Sequence, residues 1–165
     1  MHTRDEKIAA FGRLLDVMDA LREKCPWNAE QTMESIRRLT EEEVYELSDA
    51  IMKGESSAVC KEIGDLLYHM VFYARIGQES GAFDIADCID KVCEKMIFRH
   101  PHVFGDEKVE SAEEEHIRWE EIKKAENKDK TLENAYLPGA FEEGIALVEQ
   151  AQKRKGYNTS RNMTV

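Results

Sequence analysis

Two pairs of carboxylates with helical spacing are the residues of this chain best suited to do chemistry. Glu43 pairs with Glu46, and Glu62 pairs with Asp65, three positions apart in each case. Residues at i and i+3 share one helix face, where like charges repel unless a cation lies between them. Two such pairs on neighbouring helices would offer four carboxylates to one Mg²⁺ or Mn²⁺ site, and sites of this kind usually act on phosphate esters.

A solvated acidic surface is the alternative explanation, because 34 of the 165 residues are Asp or Glu and chance pairs are common. The two pairs lie on predicted helices joined by a short link near Gly54, so the helices are expected to be antiparallel neighbours. Glu46 and Glu62 would then lie at comparable heights above the turn. Spacing alone leaves both explanations open.

Further residues could contact a phosphate-bearing substrate. Lys95 and Arg99 are four positions apart near the end of a predicted helix. They would either complement the helix dipole or contact a triphosphate, for which a guanidinium suits bidentate contacts. Trp119 lies on an acidic helix and would be either a core anchor or a stacking platform for a base. His100 and His102 flank a proline, which favours a rigid extended loop over a zinc site.

The elements that position these residues are predicted to be helices. Apolar periodicity, 9 Gly and 3 Pro favour an all-α fold of about five helices. The third is apolar on most sides and is expected to be the most buried. Residues 99–105 are expected to form a loop, and Ser111 to open the fifth helix with a capping box. The first four helices are expected over about residues 5–24, 32–53, 57–80 and 84–98.

Composition restricts the class of protein. A formal charge of −11 leaves no basic face to replace the counterions of a nucleic-acid polymer. No apolar run approaches 18 residues and no signal-peptide core is present, so a cytoplasmic protein without membrane contact is expected. The four cysteines, none in a CxxC pair, are expected to be reduced thiols that pack structurally. The lack of a glycine-rich phosphate loop excludes P-loop and Rossmann sites.

Four motifs in order resemble those of MazG-type nucleoside triphosphate pyrophosphohydrolases, members of the all-α NTP pyrophosphatase superfamily. They are CPWNAEQT at 25–32, EEVYELSDAI at 42–51, EIGDLL at 62–67 and RHPHVFG at 99–105. The resemblance covers about residues 8–125. It implies a helical bundle assembled as a homodimer or a dimer of dimers, and Mg²⁺-dependent hydrolysis of NTPs or dNTPs to nucleoside monophosphate and pyrophosphate. Residues 1–125 are accordingly expected to form the MazG-like domain, and 126–165 a linker, a short amphipathic helix and a mobile tail.

The resemblance also implies roles for individual positions. Four acids match the family's metal ligands: Glu43, Glu46, Glu62 and Asp65. Glu42 completes the EExxE pattern, and Glu42 or Glu46 is expected to orient or deprotonate the attacking water. Lys95 and Arg99 match basic residues that contact the triphosphate, and Trp119 matches an aromatic residue near the base. Trp27 and Gln31 lie in a loop near the nucleoside.

Two other functions are kept as alternatives. One is a narrower all-α pyrophosphatase specific for dUTP, dCTP or phosphoribosyl-ATP. The other is a non-catalytic helical regulatory module whose acid cluster binds a cation without hydrolysing any nucleotide.

Overall fold

The computed structural model describes residues 1–126, which form seven helices and no strand. The all-α class predicted from the sequence is therefore confirmed for this part of the chain. The helices are α1 (Arg4–Lys24), α2 (Pro26–Glu30), α3 (Met33–Lys53), α4 (Ser56–Glu79), α5 (Ile85–Arg99), α6 (Pro101–Phe104) and α7 (Ala112–Glu126).

The described residues divide into two compact units, 1–84 and 85–126. In the first, α3 and α4 form the most extensive helix pair, and α1 packs on α4 and α2. In the second, α5 packs on α6 and α7. The domain boundaries expected from the sequence stay a prediction, and the amphipathic stretch and tail expected beyond residue 126 lie outside the described residues.

Local capping explains where several helices begin. The Thr3 hydroxyl accepts a hydrogen bond from the Glu6 amide, and the Glu6 carboxylate accepts one from the Thr3 amide at 2.7 Å, which opens α1. Ser111 opens α7 as predicted, because its hydroxyl accepts from the Glu114 amide at 3.1 Å. The Glu114 carboxylate accepts from the Glu110 amide at 3.0 Å rather than from Ser111.

Two short helices occur where loops were expected, and the first of them includes Trp27. Pro26 begins α2 and Pro101 begins α6, each at the first helical position. Proline is favourable there, since its fixed φ suits the helix and the missing N–H would have no helical partner. The expected loop at residues 99–105 is thus wrong over Pro101–Phe104.

The core of the first unit lies around α4, which has more buried residues than any other described helix. This confirms the expectation that it is the most buried helix. The largest fully buried side chains are Phe72, Met18 and Ile36. Within residues 1–126, no helix has both the length and the apolar character needed to span a bilayer.

The four cysteines are unpaired thiols, as expected. Their expected packing role is not seen for Cys60, Cys88 and Cys93, which are exposed in the chain, whereas Cys25 is partly covered.

Candidate metal site

Helices α3 and α4 position the acidic pairs. The Thr32 hydroxyl caps the start of α3 by accepting a hydrogen bond from the Ser35 amide. Gly54 ends the helix with φ +70°. This left-handed conformation is inexpensive only for glycine, and it lets the chain reverse within two residues into α4. The two helices therefore pack side by side and place their acidic faces together.

Three carboxylates meet between these helices. Glu43 on α3 and Glu62 and Asp65 on α4 each offer one oxygen, and these oxygens lie within 4.8 Å of one another. Glu62 is only 6% exposed. The Glu43 Oε2 atom is buried and has no hydrogen-bond partner. A buried carboxylate oxygen without a partner is unfavourable in water-poor surroundings, so this position suits a bound cation.

The carboxylates of the cluster repel one another, and this repulsion contributes to a raised pKa of Glu43. Burial, followed by the carboxylates of Glu46, Asp65 and Glu62, raises the pKa of Glu43 to about 7, although Lys61 lowers it. A carboxylate with this pKa holds a proton much of the time near neutral pH. A divalent cation would displace that proton and remove the repulsion at once.

Lys61 supplies positive charge to the cluster. Its Nζ lies 3.0 and 3.1 Å from the two Glu62 oxygens and 3.0 Å from Asp65 Oδ2. The two carboxylates raise the pKa of Lys61 through these hydrogen bonds. Lys61 was not among the functional residues expected from the sequence, although its spacing to Asp65 is the i, i+4 spacing of a helix ion pair.

Glu46 and Glu42 lie at the edge of this site. Glu46 is not among the three acids whose oxygens lie within 4.8 Å, yet its charge is close enough to raise the pKa of Glu43. Both Glu42 and Glu46 are partly exposed. The roles expected of them, water activation for both and metal ligation for Glu46, stay predictions.

The α1–α3 connection holds Trp27 and Gln31 in a fixed geometry. Gln31 Nε2 donates to the Trp27 carbonyl at 2.8 Å, and Ser35 Oγ donates to Gln31 Oε1 at 2.8 Å. Trp27 is 52% exposed, so its ring is available for contact with another molecule. The position of both residues is compatible with the expected nucleoside contact.

Arg22 fixes the end of α2 and is a positioning residue that sequence reasoning missed. Its guanidinium donates to the carbonyls of Asn28 and Gln31 and makes two 2.8 Å bonds to the Glu79 carboxylate. Buried Asn28 also accepts from the Tyr68 hydroxyl at 3.0 Å. The connection between α1 and α3 is therefore anchored to α4 at two points, directly at Tyr68 and through Arg22 at Glu79.

The remaining candidate substrate residues belong to the second unit. Arg99 ends α5 and pairs with Glu126 of α7 at 2.8 Å, whereas Lys95 is exposed one turn earlier. Trp119 is partly buried on α7, with Lys123 Nζ 4.9 Å from its ring centre. The Trp119 Nε1 atom is buried and has no hydrogen-bond partner. Core packing and base stacking are both compatible with this environment.

Comparisons with known proteins agree with these motifs. The family described as the MazG nucleotide pyrophosphohydrolase domain matches residues 31–104. A nucleoside triphosphate pyrophosphohydrolase of Escherichia coli K12 is 43% identical over 126 residues, covering 74% of this chain and 48% of that protein. A Thermotoga maritima protein described as nucleoside triphosphate pyrophosphohydrolase/pyrophosphatase MazG is 43% identical over 118 residues, covering 70% and 45%. The chain thus spans about half the length of the curated relatives it matches.

A solved structure supports the relationship over a whole chain. The crystal structure of a mazG-related protein from Thermotoga maritima matches with a TM-score of 0.60 and 34% identity. The match covers 68% of this chain and 98% of the Thermotoga chain. With its acidic cluster and four motifs in order, the chain belongs to the MazG family.

Proposed function

We propose that this protein hydrolyses nucleoside triphosphates, NTPs or dNTPs, to nucleoside monophosphate and pyrophosphate with the help of Mg²⁺. The observation that supports this most is the group formed by Glu43, Glu62 and Asp65, with one Glu43 oxygen buried and unpartnered. The relatives' names point to the same reaction.

The donor set fits a hard divalent cation. All three side chains offer carboxylate oxygens, which Mg²⁺ and Mn²⁺ prefer, and nitrogen or sulfur ligands are absent from the group. Glu43, Glu62 and Asp65, with Glu46 beside them, would hold the ion. When bound, it would neutralise phosphate oxygens and make water more acidic.

The chain's own residues would then carry out an in-line hydrolysis. Glu42 or Glu46 orients a water and accepts its proton as the water oxygen attacks the α-phosphorus. The bond between the α-phosphorus and the α–β bridging oxygen breaks, and pyrophosphate leaves with the electron pair. Lys95 and Arg99 neutralise the leaving group, with Arg99 exchanging its carboxylate partner Glu126 for phosphate oxygens. Trp27, Gln31 and Trp119 contact the nucleoside.

Assembly as a homodimer or a dimer of dimers is part of the proposal. Ile63, Leu67 and Met70 follow one face of α4 and are 52%, 44% and 44% exposed. An apolar stripe on a helix at these exposures favours coverage by another surface. Sedimentation analysis of the purified chain tests this directly, with a monomer at micromolar concentration as the contrary result.

The reaction is tested by analysing products by ion chromatography. Metal-depleted protein is mixed with a panel of NTPs and dNTPs, with Mg²⁺ or with EDTA. Pyrophosphate and monophosphate are expected in equal amounts and only with Mg²⁺. Glu62→Gln should abolish the reaction, whereas Glu34→Gln, an equal charge change at a side chain 79% exposed on α3, should not.

The panel also separates the alternatives. Pyrophosphate from a single nucleotide such as dUTP or dCTP would indicate the narrower enzyme. Stabilisation by Mg²⁺ without pyrophosphate from any nucleotide would indicate the regulatory module.

A further inference from the structure

We propose that Lys61 is a built-in counter-ion that competes with the divalent cation for Glu62 and Asp65, and thereby lowers the metal affinity of the site. This inference rests on the proposed function, because it concerns the same carboxylates. It assigns a role to a residue that lies outside the four metal ligands expected from the family.

The geometry places the Lys61 ammonium on two of the three clustered acids. Nζ lies within 3.1 Å of both Glu62 oxygens and 3.0 Å from one Asp65 oxygen. Because both Glu62 oxygens are bound, they include the oxygen that Glu62 offers to the cluster. A divalent ion bound to the same carboxylates would repel an ammonium group at this distance, so each cation weakens the binding of the other.

Burial decides which partner moves. The Glu62 side chain is 8% exposed, whereas the Lys61 side chain is 64% exposed and has a flexible stem. Lys61 can therefore turn into solvent, where its charge is hydrated, while Glu62 stays in place. Glu43 differs from the other two acids, since its Oε2 atom has no hydrogen-bond partner. The Lys61 ammonium thus offsets part of the negative charge of Glu62 and Asp65, while Glu43 Oε2 stays available to an incoming ion.

The chain contains a matched control on the neighbouring helix. Lys53 lies four positions after Asp49 on α3, 2.5 Å from its carboxylate, and its side chain is 57% exposed. Lys53 and Lys61 thus share charge, exposure and i, i+4 ion pairing, but only Lys61 contacts the clustered acids. Replacing either lysine by methionine changes the net charge equally.

The test measures Mn²⁺ binding to the metal-depleted full chain by electron paramagnetic resonance, without any nucleotide. Lys61→Met and Lys61→Gln should each bind Mn²⁺ about threefold to tenfold more tightly than wild type, given the partly screened attraction at an exposed site. Lys61→Arg should stay near wild type, and Lys53→Met should change the affinity less than about twofold. Circular dichroism confirms that the variants are folded.

The contrary results are distinct. Equal or weaker Mn²⁺ binding by both neutral Lys61 variants would overturn this inference and leave the proposed function standing. An equal gain in Lys53→Met would also overturn it, because net charge alone would then explain the effect. Absence of saturable Mn²⁺ binding in wild type and in the neutral variants would overturn the proposed metal site and this inference together.

Discussion

Replacing Glu43 by glutamine is expected to stabilise the metal-free protein at alkaline pH. Burial and the neighbouring carboxylates raise the pKa of Glu43 from 4.5 to about 7 in the folded chain. The folded state thus keeps a proton that the unfolded state releases between those values. Stability from this proton is fully present below pH 4.5 and is lost as the pH rises through about 7. A glutamine side chain does not titrate in this pH range, so the Glu43→Gln variant does not lose this stability.

The magnitude follows from the two pKa values. Each pH unit between them corresponds to about 1.4 kcal/mol, so the upper limit for the whole interval is about 3 to 4 kcal/mol. Between pH 5.5 and pH 8.5, the advantage of Glu43→Gln over wild type should grow by about 1 to 2 kcal/mol, since the carboxylate is only partly covered. Both pH values avoid the sequence pI of about 5.0.

The assay is urea unfolding in EDTA at both pH values and one protein concentration. Glu34→Gln is the control, and its difference from wild type should stay within about 0.5 kcal/mol at both pH values. With saturating Mn²⁺ the order should reverse, because an ion that binds more tightly stabilises the native state more, and the variant replaces a charged carboxylate ligand by a neutral amide. An advantage that does not change with pH, or a variant destabilised at pH 8.5, would refute the reasoning about the cluster.

Two further predictions concern the scaffold. Gly77→Ala should destabilise the protein by about 1 to 3 kcal/mol in urea unfolding, because its Cβ would lie 2.8 Å from the Phe83 ring. The control Gly12→Ala, whose Cβ would have nothing within 4 Å, should be neutral or stabilising. Equal effects of the two variants would contradict this. Glu79→Gln should lower the free energy of unfolding by about 1 kcal/mol in urea at pH 7. Arg22 lowers the pKa of Glu79, so this difference should vanish as the pH falls through that lowered pKa, and a pH-independent loss would count against the pairing.

The sequence predicted the scaffold of the site well because its signals are strongly periodic. The apolar pattern of α3 and α4 and the glycine between them were enough to place the two acidic pairs on adjacent helices. The short helices were missed because loops were expected around Pro26 and Pro101, although both prolines occupy the first helical turn. Proline changes meaning with position, which periodicity does not reveal.

The detailed membership of the cluster was harder to predict. Spacing treated Glu43 and Glu46 alike, yet it is a Glu43 oxygen that approaches those of Glu62 and Asp65. The rotation of α3 about its axis and the side-chain rotamers decide this, and both depend on packing against α4. Arg22 and Lys61 were missed for a related reason. Their partners Glu79 and Glu62 become informative only once burial and contact are known.

Hydrolysis in ¹⁸O-labelled water tests the central claim most directly. The proposed attack at the α-phosphorus places the label in the nucleoside monophosphate and leaves the pyrophosphate unlabelled. Mass spectrometry of both products, with Mg²⁺ and with the Glu62→Gln variant as control, should show one ¹⁸O per monophosphate formed by wild type and no product from the variant. Label in pyrophosphate, release of orthophosphate as the first product, or full activity in Glu62→Gln would contradict the account.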